Sequence, residues 1–310
     1  MADEENHELL ERARAVSAQM DLRVFEGVPY CPYERVNSFE RMFSLIRGAE
    51  LRPDDVITTG FLRSGNHWAF EILNMILGQG TDFSKRNFFE LQLEMMGDRV
   101  TKVLQKASSP RVLTSHCQLR FLPRQAFESE RKTKIVYILR NPKDAMVSQY
   151  KLMNSTRIKK LGFSGSWDEF VELLLHEGLQ WGTWFDHVLS TDAFLKENPD
   201  FPLFILQFEK LREDPVPIVR DLCRFLGQPE TLAEQIADAT RFDSMKKGTE
   251  DKFGKMKSDF LKDDSSGFVV KGQIGSWRNE FTAAQSERFD RVFEKRMAGC
   301  SLADRVREYI

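Results

Sequence analysis

The chain has 310 residues, 41% of them apolar, enough for a sizeable core as one large α/β domain or two small ones. Its 45 Lys and Arg nearly cancel 47 Asp and Glu, for a net charge of −2, so composition offers no case for nucleic-acid binding. No Gly/Ser/Pro-rich linker divides it; a single domain over residues 25–310 is expected, preceded by a helical segment over residues 1–24.

The N-terminus, Met1-Ala2-Asp3-Glu4-Glu5-Asn6, is acidic and is not followed by the apolar stretch of a signal peptide. No run approaches the ~20 apolar residues that span a bilayer, so no membrane partner is expected. Cys31, Cys117, Cys223 and Cys300 are scattered without a CxxC pair, the usage of reduced thiols in a cytoplasmic protein. No cluster of metal ligands stands out, and no metal is expected.

The first informative element is a short apolar strand over residues 56–59. It meets the loop Gly60-Phe61-Leu62-Arg63-Ser64-Gly65-Asn66-His67, and a helix is expected from about Trp68, with Ile72, Leu73, Met75, Ile76 and Leu77 forming a broad apolar stripe. A strand, a loop holding a cation and a small residue, and a helix N-terminus together build an anion site, because amides and helix dipole converge on one point. The GxxxxGK[ST] spacing is absent, so this is a different kind of phosphate reader. Further strands are expected over 111–114, 134–139 and 203–208; all are short, continuously apolar and rich in β-branched or aromatic residues. Helical periodicity returns in Val219, Leu222, Phe225 and Leu226, with Gly227 as a stop. This alternation predicts an α/β fold with a central parallel sheet flanked by helices and ligands at the carboxyl ends of the strands. Residues 246–262, Lys-rich and Gly-punctuated, read as a solvated loop in preference to a flap.

Each strand ends at a residue with chemistry. The second runs into Thr114-Ser115-His116, and the third into Arg140-Asn141-Pro142-Lys143-Asp144, with Ser148 two turns into the next helix. Arg140 and Ser148 offer a fork of donors plus a hydroxyl, a second anion site. Taken singly, Arg140 could pair with Asp144, and His116 could be an ordinary strand-end residue. Taken in order, two anion sites on one sheet edge suggest a bis-phosphorylated nucleotide.

Over residues 25–301 the chain resembles the cytosolic sulfotransferases. The family's 5′-phosphosulfate loop, Tyr-Pro-Lys-Ser-Gly-Thr-x-Trp, is similar to Phe61-Leu62-Arg63-Ser64-Gly65-Asn66-His67-Trp68. Its Lys-Thr-His strand end is similar to Thr114-Ser115-His116, and its 3′-phosphate segment, Arg-Asn-x-Lys-Asp-x-x-x-Ser, is matched fully from Arg140 to Ser148. The adenine-contacting Thr-Ser-Phe element resembles Thr240-Arg241-Phe242. The late Arg-Lys-Gly-x-x-Gly-Asp-Trp signature resembles Val270-Lys271-Gly272-Gln273-Ile274-Gly275-Ser276-Trp277.

The resemblance implies a sulfotransferase fold, related to P-loop proteins, and use of 3′-phosphoadenosine-5′-phosphosulfate (PAPS). A sulfuryl group would pass in line to a small hydroxylated acceptor, leaving the desulfated product PAP. It assigns His116 as general base, with Arg63 and Ser148 beside it in catalysis. Nucleotide binding falls to Arg63, Ser64, Gly65, Asn66, His67, Trp68, Arg140, Ser148, Thr240, Phe242, Val270, Lys271 and Gly272, with Trp68 and Phe242 sandwiching the adenine. It further implies a weak homodimer through the strip from Arg278 to Glu287. Phe25, Tyr30, Phe88, Phe89, Tyr150 and Phe163 are candidate acceptor-pocket residues suited to a phenol or sterol.

The chain departs from the pattern where Arg63, Thr114 and Val270 replace Lys, Lys and Arg, and where Asn66 and His67 replace loop hydroxyls. Reduced activity, or compensation elsewhere, is the expectation; restoring Lys at 114 and Arg at 270 should then help. The competing readings are a sulfotransferase-like binding protein without turnover, and a P-loop kinase, which the missing GK[ST] disfavours.

Overall fold

Four parallel strands form the centre of the molecule, in the order β4-β3-β5-β6: β3 (Val56–Gly60), β4 (Val112–Ser115), β5 (Lys134–Leu139) and β6 (Leu203–Gln207). A small antiparallel hairpin, β1 (Arg23–Phe25) and β2 (Val28–Tyr30), precedes them. The computed structural model describes residues 2–31, 36–86, 88–128, 133–157, 162–248 and 272–310.

The strands alternate between two apolar faces, as a period of two requires. Ile57, Leu113, Ile135, Tyr137 and Leu139 enter one core, shared with the hairpin, the N-terminal helix and the helices Trp167–His176 and Trp184–Glu197. Val56, Val112, Val136, Ile138 and Leu206 enter a second, under the helices Asn66–Gly78, Pro215–Leu226 and Ala233–Ala239. Both faces are covered, which explains why the strands read as unbroken apolar runs. The in-register pairs Thr59↔Ser115 and Thr59↔Tyr137 bring the carboxyl ends of β3, β4 and β5 to one edge.

Several boundaries differ from the sequence reading, and β3 and β4 each run one residue further than expected, to Gly60 and Ser115. The second strand starts at Val112, because the Arg111 guanidinium is buried against Asp55, with Nε 2.7 Å from Oδ1. The fourth ends at Gln207, and Phe208 opens the helix Phe208–Glu213. The helix after β3 begins at Asn66, two residues before Trp68, since Gly65 at φ +105° breaks the chain into its first turn. No described helix is long and apolar enough to cross a membrane.

Candidate active site

The loop after β3 is shaped by two glycines whose environments exclude a side chain. A Cβ on Gly60 would lie 2.6 Å from the Ile138 carbonyl oxygen, and one on Gly65 would lie 2.7 Å from the Phe208 ring. Between them the chain turns tightly, Arg63 taking a left-handed φ of +67°, and Ser64 directly precedes Gly65, the N-cap of the following helix.

Arg63 and Ser148 meet: Arg63 Nε donates to Ser148 Oγ at 2.9 Å. Arg140 closes the group by donating from Nη1 to the Arg63 carbonyl at 2.7 Å, with its guanidinium 4.2 Å above the Phe208 ring. Burial, and then the neighbouring Arg140, push the Arg63 guanidinium down to about 10; burial also lowers Arg140. Two cations side by side raise each other's cost unless an anion joins them. Three buried donors here have no hydrogen-bond partner among the described residues: Ser64 Oγ, Trp68 Nε1 and Arg140 Nε. A phosphate-bearing ligand fits that set.

Asp144 does not pair with Arg140. Its carboxylate accepts from Gly275 N (2.8 Å), Ser276 Oγ (3.0 Å) and Trp277 N (2.9 Å), while Lys143 Nζ donates to Ser286 Oγ at 2.8 Å and sits 4.1 Å over the Trp277 ring. The Asp144 bonds pin the late Gly-x-Trp segment to the helix Pro142–Ser155, which begins two residues after Arg140. Gly272, with φ +54°, leads into that segment; Val270 and Lys271 lie outside the described residues.

His116, 6% exposed, follows β4. Its Nδ1 is 3.0 Å from the Gly60 carbonyl, which accepts only if Nδ1 carries the proton; Nε2 then keeps a lone pair. Its main chain is held at both ends: the N–H donates to Glu94 Oε1 at 2.6 Å, and the carbonyl accepts from His187 Nε2 at 3.2 Å. Tyr137 O–H in turn donates to His187 Nδ1 at 2.8 Å. Burial lowers His116 below its ordinary value and brings His187 down to about 4. Phe88 and Trp181 flank the imidazole, with ring centroids at 5.9 and 4.8 Å.

The remaining expected positions have the following surroundings. Asn66 is turned inward, Nδ2 donating to the Phe61 carbonyl at 3.2 Å, so it shapes the loop. The His67 ring lies edge-on to Phe88 and Phe89. Trp68 meets Phe208 edge-on at 5.8 Å; its ring does not touch Phe242, which is half-buried in the helical turn after Thr240. The Thr240 hydroxyl donates to the Ile236 carbonyl at 2.8 Å. Thr114 is wholly buried, its hydroxyl donating to the Phe88 carbonyl at 3.2 Å. Of the pocket candidates, Phe88 flanks His116 and Phe89 touches Phe88. Tyr30, fully buried, packs on Phe39, Phe43 and Phe121; Phe25 stacks on Phe43; Tyr150 and Phe163 pack on Phe170. Among the described residues no group of three or more His, Cys, Asp or Glu is placed to hold a metal ion.

Sequence reasoning missed Phe208, Glu94, Trp181 and His187. Phe208 directly follows β6 and was reachable by the strand-end rule. Glu94 lies on a four-residue helix, Leu93–Met96, with no periodic signal.

Residues 53–301 match the family model described as a sulfotransferase domain. Mouse sulfotransferase 1B1 is 31% identical over 294 residues, covering 91% of this chain and 94% of the relative. Human sulfotransferase 1C2 is 30% identical, covering 92% and 95%. Mouse sulfotransferase SULT7A1, solved in complex with PAP, superposes with a TM-score of 0.75 at 25% identity, covering 93% of this chain and 99% of that one. Retinol dehydratase, solved with androsterone and PAP, is 17% identical with a TM-score of 0.73, covering 96% and 95%, and shares the fold.

Proposed function

The chain belongs to the sulfotransferase family, and we propose that it moves the sulfuryl group of PAPS to a hydroxyl or amine of a small aromatic or sterol-like acceptor. One observation carries the reading. Two guanidiniums, buried Arg140 and half-buried Arg63, are linked through a carbonyl and Ser148 beside three buried donors without partners among the described residues, and His116 is hydrogen-bonded into the same loop.

PAPS, when bound, supplies the activated sulfuryl group and two phosphates. On its 5′ side the chain offers Arg63, Ser64, the amides of Gly65, Asn66 and His67, and Trp68. On its 3′ side it offers Arg140, Ser148, Gly272 and, by resemblance, Val270 and Lys271, with Thr240 and Phe242 toward the base. His116 Nε2 takes the acceptor proton, its neutral form kept by burial and its tautomer by Gly60. Arg63, locked by Ser148, stabilises negative charge on the departing oxygen; in a buried site a preorganised cation of this kind acts without reorganisation. Phe88 and Trp181 beside His116 suit a flat apolar acceptor, and relatives solved with androsterone or retinol bind molecules of that character.

The same proposal places the protein in the cytoplasm, in keeping with four cysteines that are scattered in sequence and buried. It pairs two copies weakly through residues 278–287, where Phe281 is spent in the core and Ala283 and Ala284 are the exposed apolar side chains. Calorimetric titration with PAP in the presence of EDTA tests the nucleotide site. One-to-one binding that weakens with salt is expected; no binding, or binding only with magnesium, overturns it.

A further inference from the structure

Behind His116 lies a carboxylate whose charge the packing does not explain. Glu94 is 0% exposed, and three donors converge on it: Gln92 Nε2 (2.9 Å) and His116 N (2.6 Å) on Oε1, and Ser115 Oγ (3.0 Å) on Oε2. Among the described residues no lysine or arginine pairs with it. A glutamine carbonyl could accept the same backbone bond without the desolvation cost of a buried anion. What a glutamine lacks is the full negative charge that favours a nearby cation. The cation this site generates is the imidazolium formed when His116 takes a proton.

We propose that Glu94 is a positioning residue for His116: it fixes the strand end that carries the base, through Ser115 Oγ and the His116 N–H, and sets a negative charge behind the imidazolium that proton transfer creates. The inference rests on the reading of His116 as the base. The device is local. Ser115 Oγ, which donates to Glu94, also accepts from Cys117 N at 2.9 Å, so this hydroxyl and the His116 N–H together tie three consecutive residues to the carboxylate. On the other side His187 holds the His116 carbonyl. The groups facing His116 are Glu94 from the helix Leu93–Met96, Arg63 from the loop after β3, and His187 from the helix Trp184–Glu197; the adjoining Cys117 thiol is pushed well up by burial. Burial and Arg63 disfavour the imidazolium, and Glu94 with the Gly60 carbonyl opposes them.

The test is Glu94→Gln, read by the NMR titration of the His116 imidazole in nucleotide-free protein and by the pH profile of kcat. Loss of the charge should lower the His116 titration and the acid limb of kcat together, by roughly one pH unit, with a lower plateau. Glu94→Asp, which keeps the charge, should leave both within a few tenths of a unit of the parent. An unmoved or raised His116 titration in Glu94→Gln, or equal shifts in both variants, would overturn the inference. Should Glu94→Gln fail to fold, Ser115→Ala decides: it removes only a hydroxyl and must not lower the titration, and a fall refutes the role given to the charge. Undiminished turnover in His116→Ala would instead remove the base reading itself, so the two failures are distinct.

Discussion

Replacing Arg140 with methionine separates ligand binding from folding. The guanidinium spends Nη1 on the Arg63 carbonyl, while Nε has no hydrogen-bond partner among the described residues. Nε and Nη2 are therefore the donors left for a phosphate, and two charge-assisted bonds of about 1.5–2 kcal/mol each give about 3–4 kcal/mol. That corresponds to a roughly 150- to 900-fold weaker Kd for PAP. Without nucleotide the terms offset. The variant loses the bond to the Arg63 carbonyl and the stack on Phe208, each on the order of 1 kcal/mol. It gains by removing the like charge that helps hold Arg63 at about 10, after burial. The nucleotide-free Tm should thus stay within about 3 °C of the parent, while calorimetry with PAP shows the full loss. An affinity loss under tenfold in a folded variant would refute the assignment of Arg140 to the phosphate.

His116→Ala should lower kcat by about 10²–10⁴-fold with PAP affinity nearly unchanged, and an equally active variant would remove the base. In the parent, activity should fall as pH drops through a His116 value below the usual histidine range, since only the neutral ring accepts a proton; an acid limb above pH 7 contradicts this. His187 folds neutral with its titration lowered to about 4, so its contribution is complete above about pH 6.5 and is lost as pH falls from there toward 4; urea melts of His187→Asn should show a shallower loss over that window. Thr114→Lys, which the family pattern alone would favour, should instead destabilise by on the order of 2–4 kcal/mol by driving an ammonium into a closed strand face; a stable variant with higher turnover would show that the side chain reaches the site.

The sheet was legible because strands covered on both faces carry apolar residues in unbroken runs, as 135–139 do. The anion loops were legible because Gly65, Arg63, Arg140 and Ser148 are constrained by local geometry: a turn, a helix start and one helical spacing. Their mutual contact required β3 and β5 to lie side by side, which the motif order alone suggested. What surrounds His116 was not legible. Glu94 lies 22 residues away on a single helical turn, and Trp181 and His187 come from segments 65 or more residues later. No periodicity marks such contacts, since only tertiary packing makes them. The surroundings of Thr114 were not legible for a related reason: its place in a motif is plain, but the face it occupies is set by strand register. The six aromatic pocket candidates were chosen by type; Tyr30 and Phe163 lie in the core, and Phe25 and Tyr150 are partly buried against it.

The most direct test of the account is transfer of labelled sulfate from PAPS to a panel of phenols, sterols and aliphatic alcohols, run in EDTA with the parent and His116→Ala side by side. The account predicts a sulfated product from at least one flat apolar acceptor, and about 10²–10⁴-fold less with the variant. PAP binding without transfer to any acceptor would contradict it and leave a nucleotide-binding protein on a sulfotransferase fold.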